Sequence, residues 1–419
     1  MAYTETTTRS YGQRLGGSLK GIVTGFLMFI IGTGLLWWNE GRTVKTTRAI
    51  KEAQSVAMHV DNVSSVDPSL NGKLIHATAF ADTKDSLYDN SFGVRELAIK
   101  LNRKVEYYQF VEKSHKETRD KVGGGEETIT TYTYDKKWVD DPVNSGEFHD
   151  PSYQKKNFVL TTIESKEWLA ENVTFGAYTL PRFIKDAIVG DKPAEIHLTQ
   201  NEMLEWQKTM NQTDKDTISS AKKDSISMVH INNNIAYFGK SSQSPRIGDV
   251  RITFTKVLPS DISIIAKVSN NSFEQYIAKN GYSFSGVSMG TVSAENMFQQ
   301  AHKNNTTTAW LYRAIGILLV VFGLRKIFDI LPSLLKVLPI LGKVVGAGLS
   351  LVCCILGLVW SLIIIALAWI FYRPILGISI LALAIAGIVF LYNKSKKNTT
   401  DADNTQQNVS QDIQQQNNE

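Results

Sequence analysis

The pentapeptide Gly286–Gly290, Gly-Val-Ser-Met-Gly, has the glycine spacing with which α/β-hydrolases expose a nucleophilic serine. That chemistry needs the serine on a strand–turn–helix elbow, followed along the chain by an acid and then a histidine. His302 is the one histidine after Ser288, and the flanking sequence does not alternate strands and helices as a parallel sheet requires. We therefore interpret the pentapeptide as a glycine-rich turn and predict no catalytic residue and no enzyme activity.

The histidines and cysteines are too far apart in sequence to form a local metal-binding motif. The seven histidines are His59, His76, His115, His149, His197, His230 and His302. The nearest two are 17 residues apart, so the close His spacing of zinc sites is missing. No Walker loop or dinucleotide fingerprint is present either. We predict no metal and no cofactor, and leave open a metal site assembled from residues distant in sequence.

Two apolar blocks enclose a long polar region. The first block is Gly21–Trp38, and the second fills most of Trp310–Tyr392. A membrane-spanning helix needs about 20 mostly apolar residues, and no run in Asn39–Lys303 is long enough. The two cysteines, Cys353 and Cys354, lie inside the second block, so the polar region has no disulfide. The chain is predicted to be an integral membrane protein with one large water-facing domain.

Charges and prolines divide the second block, and we predict four transmembrane helices in all. Pro332 and Pro339 disfavour one unbroken helix and indicate a kinked interfacial segment, with a plain connector as the alternative. The predicted segments are a cytoplasmic N-terminal segment 1–20, helix one 21–38, an extracytoplasmic or lumenal α+β domain 39–305, helix two 306–324, an amphipathic interfacial segment 325–343, helix three 344–372, helix four 375–393, and a disordered, Asn/Gln-rich cytoplasmic tail 394–419.

The distribution of positive charge orients these helices. Ten lysines and arginines flank the spans on the side of the termini, Arg14 among them, and seven flank the other side. The positive-inside rule therefore predicts cytoplasmic termini and a domain outside the cytoplasm. Arg313 lies one turn inside helix two, where we expect its side chain to snorkel to the interface. The net charge of +5 is too small to indicate a nucleic-acid surface.

The polar region has the composition of an α+β, strand-rich domain with mostly antiparallel pairing. Strands are predicted over Lys73–Phe80, Arg103–Glu112, Glu127–Val139, Ile235–Phe238, Asp249–Val257 and Ile262–Lys267, and helices over Asn39–Met58, Phe158–Leu169, Tyr178–Ile188 and after the capping residue Ser293. Three consecutive glycines, Gly123–Gly125, predict a hairpin turn before Glu127–Val139. Asp249 and Arg251 alternate onto one strand face, and we expect a local ion pair between them.

Four short motifs resemble, in this order, the transmembrane protein 43 (LUMA) family. They are Asn39-Glu40-Gly41-Arg42 with Lys45, Val105-Glu106-Tyr107-Tyr108-Gln109, Gly248-Asp249-Val250-Arg251, and Phe371-Tyr372-Arg373-Pro374. The resemblance extends from Leu15 to about Tyr392, and the arrangement of apolar blocks is similar to that of the family. It implies a membrane-organising, self-associating protein. Animal members lie in the endoplasmic reticulum and inner nuclear membrane and contact lamina-linked partners.

These observations lead to a non-enzymatic membrane protein that self-associates and organises membrane protein complexes through its extracytoplasmic domain. The alternative is a membrane-surface sensor of a ligand or lipid. The candidate membrane-interface and packing residues are Glu40, Arg42, Gly21, Gly25, Arg373 and Pro374. Expected partners are the lipid bilayer, further copies of the chain and other membrane or envelope proteins, without nucleic acid. Richness in Lys, Asn and Gln favours a bacterial inner membrane with a periplasmic domain. For a eukaryotic source, the family resemblance implies the endoplasmic reticulum and inner nuclear membrane.

Overall fold

The computed structural model describes residues 3–210, 228–335, 339–375 and 378–379. Its chain forms two compact units. The sheet unit comprises Met1–Gly17, Thr46–Asn305 and Ser333–Lys343, and the helical unit comprises Ser18–Lys45, Thr306–Pro332 and Val344–Glu419. Except for three residues, the predicted fourth span 375–393 lies outside the described residues, as does the whole predicted tail 394–419.

The helices and strands are numbered in chain order within the described residues. The helices are α1 (Tyr11–Val56), α2 (Arg182–Ala187), α3 (Gln200–Met210), α4 (Ala294–Phe328), α5 (Ile330–Leu335) and α6 (Pro339–Tyr372). The strands are β1 (Tyr3–Arg9), β2 (Met58–Val60), β3 (Leu74–Thr83), β4 (Ser86–Asp89), β5 (Val94–Leu97), β6 (Lys100–Asp120), β7 (Glu126–Val139), β8 (Lys166–Leu169), β9 (Val173–Phe175), β10 (Tyr178–Thr179), β11 (Lys192–Pro193), β12 (Val229–Asn232), β13 (Ile235–Phe238), β14 (Val250–Val257), β15 (Ser260–Ser269), β16 (Ser272–Glu274), β17 (Tyr276–Ile277), β18 (Ser283–Phe284) and β19 (Gly286–Met289). Short 3₁₀ turns cover Pro68–Leu70 and Ser145–Glu147.

The larger sheet of the described residues has eight antiparallel strands. Its order is β1-β7-β6-β14-β13-β12, with β8 added to β6 and β11 to β14. Alternate residues of β6 and β14 point inward, as the period of two in a strand requires. Leu101, Val105, Ile252 and Phe254 are among the buried side chains, and Phe92 packs with them in one core.

Strands β6 and β7 form a long hairpin that continues beyond the part paired with β14. The pairing runs from Tyr107–Val139 to Asp120–Glu126, and Gly124 takes a positive φ of 83° in the turn. A glycine accepts this conformation without a Cβ penalty. The predicted strands Arg103–Glu112 and Glu127–Val139 and the glycine turn between them are therefore confirmed.

The N-terminal segment is part of the same sheet, contrary to its predicted separation as a cytoplasmic segment 1–20. Strand β1 pairs with β7 from Tyr3–Tyr132 to Arg9–Glu126. Arg14, at the start of α1, is buried and binds Asp120 at 2.5 Å and Glu126 at 3.3 Å. Strands that share hydrogen bonds must lie in one compartment, so β1 and the hairpin turn lie on the same side of any bilayer. Arg14 is consequently not a free interfacial charge.

The smaller sheet of the described residues has seven strands, in the order β10-β9-β3-β15-β16, with β19 on β15 and β2 on β3. All its pairs are antiparallel except β2 with β3, which is parallel. Ile75, Ile264, Phe175 and Tyr178 are fully buried in its core. The predicted strands Lys73–Phe80 and Ile262–Lys267 are confirmed as β3 and β15, and Ile235–Phe238 and Asp249–Val257 as β13 and β14.

One predicted helix is wrong and another is right only in its second half. Phe158–Leu169 is irregular up to Ser165 and then forms β8, because Leu160 donates to the carbonyl of Gly248 and β8 pairs with β6. Tyr178–Ile188 begins as β10, and helix starts only after Pro181, as α2. In both places the apolar spacing fitted a helix, but pairing with neighbouring strands determines the structure.

The helical unit contains the apolar segments. Helix α1 and residues Val345–Tyr372 of α6 are long and apolar enough to cross a membrane. Helix α4 starts after Ser293, whose hydroxyl accepts from the amide of Asn296 at 3.3 Å, as predicted from its capping residue. Helix α4 ends at Phe328, before the short α5 that contains Pro332. Within the described residues the helix is interrupted at Asp329, and the interfacial character of 325–343 stays a prediction.

Candidate functional site

A buried ion pair joins two helices of the helical unit. Glu40 on α1 is fully buried, and Arg313 on α4 has 11% of its side chain exposed. Arg313 Nε lies 2.6 Å from Glu40 Oε1, and Nη2 lies 2.9 Å from Oε2, which makes the pair bidentate. Trp369 on α6 donates its indole N–H to Glu40 Oε2 at 2.8 Å. Both carboxylate oxygens are therefore engaged, and three helices meet at one acidic side chain.

Two tryptophans and one amide complete the surroundings of this pair. The Arg313 guanidinium lies 4.8 Å from the ring of Trp310 and 5.8 Å from that of Trp369. Asn39, also fully buried, donates to the backbone carbonyl of Ala309 at 3.0 Å. We call Asn39, Glu40, Arg313 and Trp369 the ionic cluster. The expectation that Arg313 snorkels to the interface is wrong, because Glu40 binds the guanidinium inside the helical unit.

Glycines let α1 and α4 approach closely beside the ionic cluster. A Cβ added to Gly25 would lie 2.7 Å from the carbonyl oxygen of Gly323, and one added to Gly32 would lie 2.9 Å from that of Gly316. Gly21 has room, because a Cβ there would lie 3.9 Å from its nearest neighbour. Gly25 and Gly32 are therefore the glycines of α1 where α4 comes closest, and Gly21 lies at ordinary van der Waals distance from it.

The other predicted interface residues lie close to the ionic cluster in sequence. Arg42 lies 5.6 Å from the ring of Tyr312 and 3.5 Å from Oδ1 of Asn39. Helix α6 ends at Tyr372, and the amide of Arg373 donates to the carbonyl of Trp369 at 2.7 Å. Arg373 and the exposed Pro374 therefore mark the end of the helix that carries the cluster's tryptophan.

The first and last motifs of the family resemblance pack against each other. A Cβ on Gly41 would lie 2.7 Å from the Cζ atom of Tyr372, so the missing side chain makes room for that ring. One turn earlier, Trp37 contacts the rings of Phe371 and Tyr372 at 5.7 and 5.9 Å. Motifs more than 300 residues apart in sequence thus form one contact in the helical unit.

The second and third motifs pair in the sheet unit. Arg251 lies opposite Glu106 in the register of β14 with β6. Its Nη2 and Nε atoms bind Glu106 Oε2 at 2.7 and 3.0 Å, and its guanidinium lies 4.5 Å from the ring of Trp138. Burial acts to raise the pKa of Glu106, but hydrogen bonds from Lys104 and Arg251 outweigh it and hold the pKa below its ordinary value.

Asp249 does not pair with Arg251, so the predicted local ion pair is wrong. It lies just before β14, and its carboxyl group accepts from the hydroxyl of Tyr237 and, at 2.8 Å, from the amide of Arg246. Burial raises the pKa of Asp249. Arg251 turns to the opposite neighbour because Glu106 lies directly across the strands, where its Cβ is closest.

The geometry does not form a hydrolase site around Ser288. This serine lies within β19 and faces Ser263 of β15 in an antiparallel pair. A nucleophile elbow instead needs a strand that turns directly into a helix within a parallel sheet. Among the described residues, no group of three or more His, Cys, Asp and Glu side chains is placed to hold a metal ion.

Sequence reasoning missed two contacts. The Glu40–Arg313 pair had a signal, since each is a charged residue at the edge of an apolar run, and opposite charges in such runs tend to pair. His59 and His76, 17 residues apart, meet because they are partners in the parallel register of β2 with β3. Spacing along the chain gives no sign of that second contact.

Comparisons with known proteins identify the family. A model of the family described as Transmembrane protein 43 matches residues 107–374. Transmembrane protein 43 of Rattus norvegicus is 28% identical over 389 residues, covering 90% of either chain. The Homo sapiens protein is 26% identical over 392 residues, with the same coverage, and the Drosophila melanogaster homolog is 26% identical over 368 residues, 85% of this chain and 90% of its own. No solved structure matches. The chain thus belongs to the transmembrane protein 43 family and is an integral membrane protein.

Proposed function

We propose that this protein is a non-enzymatic scaffold of the membrane. Its helices self-associate with those of further copies, and its large domain gathers other membrane or envelope proteins. The observation that carries the proposal is the ionic cluster, in which Glu40 is bound on both oxygens by Arg313 and Trp369. A charged group inside an apolar bundle either serves transport or fixes helices in place. Here the charges bind each other, which supports the fixed arrangement.

Self-association is tested by crosslinking in native membranes, followed by sizing in mild detergent. We expect a ladder of oligomers in the wild type. Arg313→Met should disperse it, because the variant leaves the Glu40 carboxylate buried without its cation. Gly34→Ala is the matched control, because an added Cβ there meets no atom within 4 Å. A strict monomer at native abundance would rule out the self-association part of the proposal.

The proposal includes four spans and a domain body outside the cytoplasm, in a bacterial inner membrane or, in a eukaryote, the endoplasmic reticulum and inner nuclear membrane. Support comes from the positive charges beside the termini other than Arg14, which is bound to Asp120 and Glu126 in the sheet unit. Topology is tested in a variant in which Cys353 and Cys354 are replaced by serine and a single new cysteine is placed at an exposed position. Reaction with a membrane-impermeant maleimide then shows on which side of the membrane that position lies. Val189→Cys should be labelled from outside intact cells.

The N-terminal strand provides an internal check on this topology. Thr7 and Thr118 both face Thr128 of β7, from opposite sides. Thr7→Cys and Thr118→Cys must therefore be labelled from the same side, whichever it is. Labelling from opposite sides would show that β1 leaves the sheet in the membrane.

The sensor alternative needs a deep apolar pocket open toward the bilayer. A surface cleft of about 640 Å³ lies beside α3. Six of its seven lining residues are polar or charged in type: Asn90, Ser91, Glu202, Glu205, Lys208 and Thr209, with Trp206 as the seventh. A cleft of this character gives the lipid-sensor alternative no support.

A further inference from the structure

Two histidines of the sheet unit point their Nδ1 atoms at each other. His59 on β2 and His76 on β3 are register partners in the parallel pair, and their Nδ1 atoms lie 2.9 Å apart. The ring planes differ by 25°, and the ring centroids are 5.1 Å apart. His76 is almost fully buried, whereas 60% of the His59 side chain is exposed. The space between the rings is therefore reached from the His59 side.

The outer nitrogen of each ring is held by an acceptor. His76 Nε2 lies 2.9 Å from the backbone carbonyl oxygen of Val292, and His59 Nε2 lies 3.0 Å from Oδ1 of Asp61. A carbonyl and a carboxylate only accept hydrogen bonds, so both Nε2 atoms donate. In the neutral tautomers this leaves an unshared electron pair on each Nδ1 atom. Two such pairs at 2.9 Å repel unless a proton on one ring or a metal ion lies between them.

Metal-bound histidines have the same arrangement. One ring nitrogen binds the metal, and the N–H of the other donates to a backbone carbonyl or a carboxylate. We propose that His59 and His76 form a two-histidine site for a borderline divalent metal ion such as Zn²⁺, Ni²⁺ or Cu²⁺, with water as the remaining ligands. Metal–nitrogen bonds of about 2.0–2.1 Å in tetrahedral geometry separate two ligands by about 3.3 Å, so a small opening of the rings admits the ion. Imidazole is a ligand that these metals favour.

An ion at this site would connect three segments of the sheet unit. His59 follows the end of α1 at Val56 by three residues, and Val292 precedes the start of α4 at Ala294 by two. The backbone amide of Val292 donates to the hydroxyl of Ser263 on β15 at 2.8 Å. An ion between the rings therefore ties the segment that leaves α1 to the central strands and to the turn that enters α4.

The test is calorimetric titration of the full-length protein in mild detergent with ZnCl₂ and NiCl₂, with MgCl₂ as the hard-cation control. The affinity tag must contain no histidine. The variants are His59→Ala and, as matched control, His115→Ala, which removes an exposed histidine from β6. We expect one Zn²⁺ per chain in the wild type and His115→Ala, at least tenfold weaker binding in His59→Ala, and no heat with Mg²⁺.

A spectroscopic readout separates this site from weaker binding at the other histidines. The electron paramagnetic resonance spectrum of Cu²⁺ bound to the wild type should show hyperfine coupling to two imidazole nitrogens. The spectrum of His59→Ala should show coupling to one. Asp61→Asn should weaken Zn²⁺ binding about tenfold, since it alters the partner of the His59 N–H without removing a ligand. Equal affinity in the wild type and His59→Ala, or no saturable binding in the wild type, overturns the proposal and leaves a shared proton as the occupant.

Discussion

The helical unit and the sheet unit each contain a glutamate–arginine pair beside a tryptophan, but at different depths. In the helical unit Glu40 is fully buried and Arg313 has 11% of its side chain exposed. In the sheet unit Glu106 and Arg251 have 14% and 34% exposed. The arginines contact Trp310 at 4.8 Å and Trp138 at 4.5 Å, so the local chemistry is similar. The surrounding medium is therefore the main difference between the pairs.

The burial of a glutamate–arginine pair determines how much stability is lost when one partner is removed. A buried pair gains little net stability over apolar residues, but losing one partner leaves a charge without solvent or counterion. A partly exposed pair gains little and also loses little, because water replaces the missing partner. The pair in the helical unit therefore specifies which helices meet, whereas the pair in the sheet unit adds a modest increment to strands already joined by backbone hydrogen bonds.

The largest expected effect comes from removing one carboxylate of each pair. Glu40→Ala leaves Arg313 buried and the indole N–H of Trp369 without its acceptor, and should destabilise the helical unit by about 3–5 kcal/mol. Glu106→Ala should cost the sheet unit about 1 kcal/mol or less. Hydrogen exchange with mass spectrometry measures both on the full-length protein, since peptides from Ser18–Lys45 of α1 and residues 306–328 of α4 report the helical unit and those from β6 and β14 report the sheet unit.

A second measurement shows whether the destabilisation by Glu40→Ala occurs in the helical unit. Cys353 is buried and Cys354 is exposed, so in a Cys354→Ser background a thiol-reactive dye reports opening around Cys353 alone. Glu40→Ala should label faster than wild type, and Glu106→Ala should label at the wild-type rate. Equal destabilisation by the two substitutions would show that depth does not distinguish the pairs.

Double-mutant cycles should show the next largest difference. Arg313→Met leaves a buried carboxylate, but adding Glu40→Gln removes that charge and keeps a carbonyl acceptor for Trp369. The double variant should therefore be more stable than Arg313→Met alone, with a coupling energy of about 2–3 kcal/mol. The matched cycle of Glu106→Gln and Arg251→Met should give about 1 kcal/mol or less. Additive effects at Glu40 and Arg313 would contradict a direct pair.

Alanine at one chosen glycine of each unit, Gly248 in the sheet unit and Gly41 in the helical unit, should reverse the order of the two effects. Gly248 has a φ of +96°, and a Cβ there would lie 2.2 Å from Cε2 of Phe158. Gly248→Ala should therefore destabilise the sheet unit by about 2 kcal/mol, from strain and overlap together. Gly41→Ala meets only the far end of the Tyr372 ring, and should cost less than about 1 kcal/mol. The measurement is again hydrogen exchange in each unit.

The Gly72→Ala variant separates backbone strain from steric overlap, the two contributions that Gly248→Ala combines. The φ of Gly72 is +78°, but a Cβ there meets no atom within 4 Å. Gly72→Ala therefore measures backbone strain without overlap, and should cost about 1 kcal/mol. If it costs as much as Gly248→Ala, the contact with Phe158 has no role.

Sequence alone predicted the elements that its local pattern determines. The alternation in Arg103–Glu112 and the glycines before Glu127 predicted the long hairpin, and Ser293 predicted the start of α4. The four family motifs were found in order, but nothing in their spacing showed that they pack in pairs. That pairing depends on the register of β6 with β14 and on the ring of Tyr372 lying over Gly41.

The failures have one physical origin. Asp249 and Arg313 were each assigned a partner or surroundings from their neighbours in sequence. Asp249 instead binds Tyr237 on the adjacent strand β13, and Arg313 binds Glu40 on α1. Arg251 likewise takes Glu106 and not Asp249. A local pattern shows that a charge must be satisfied, but the fold decides which of several distant groups satisfies it.

The smallest expected effect is the pH dependence of the exposed pair. The pKa of Glu106 lies below its ordinary value of 4.5 in the folded protein, as hydrogen bonds from Lys104 and Arg251 outweigh its burial. A carboxyl group with a lowered pKa contributes stability that is fully present above pH 4.5 and is lost as the pH falls through the folded pKa. The stability difference between wild type and Glu106→Gln should thus shrink below that pH. Melting temperatures from pH 7 to pH 3 measure it, and a difference that grows on acidification would mean that burial outweighs the hydrogen bonds to Glu106.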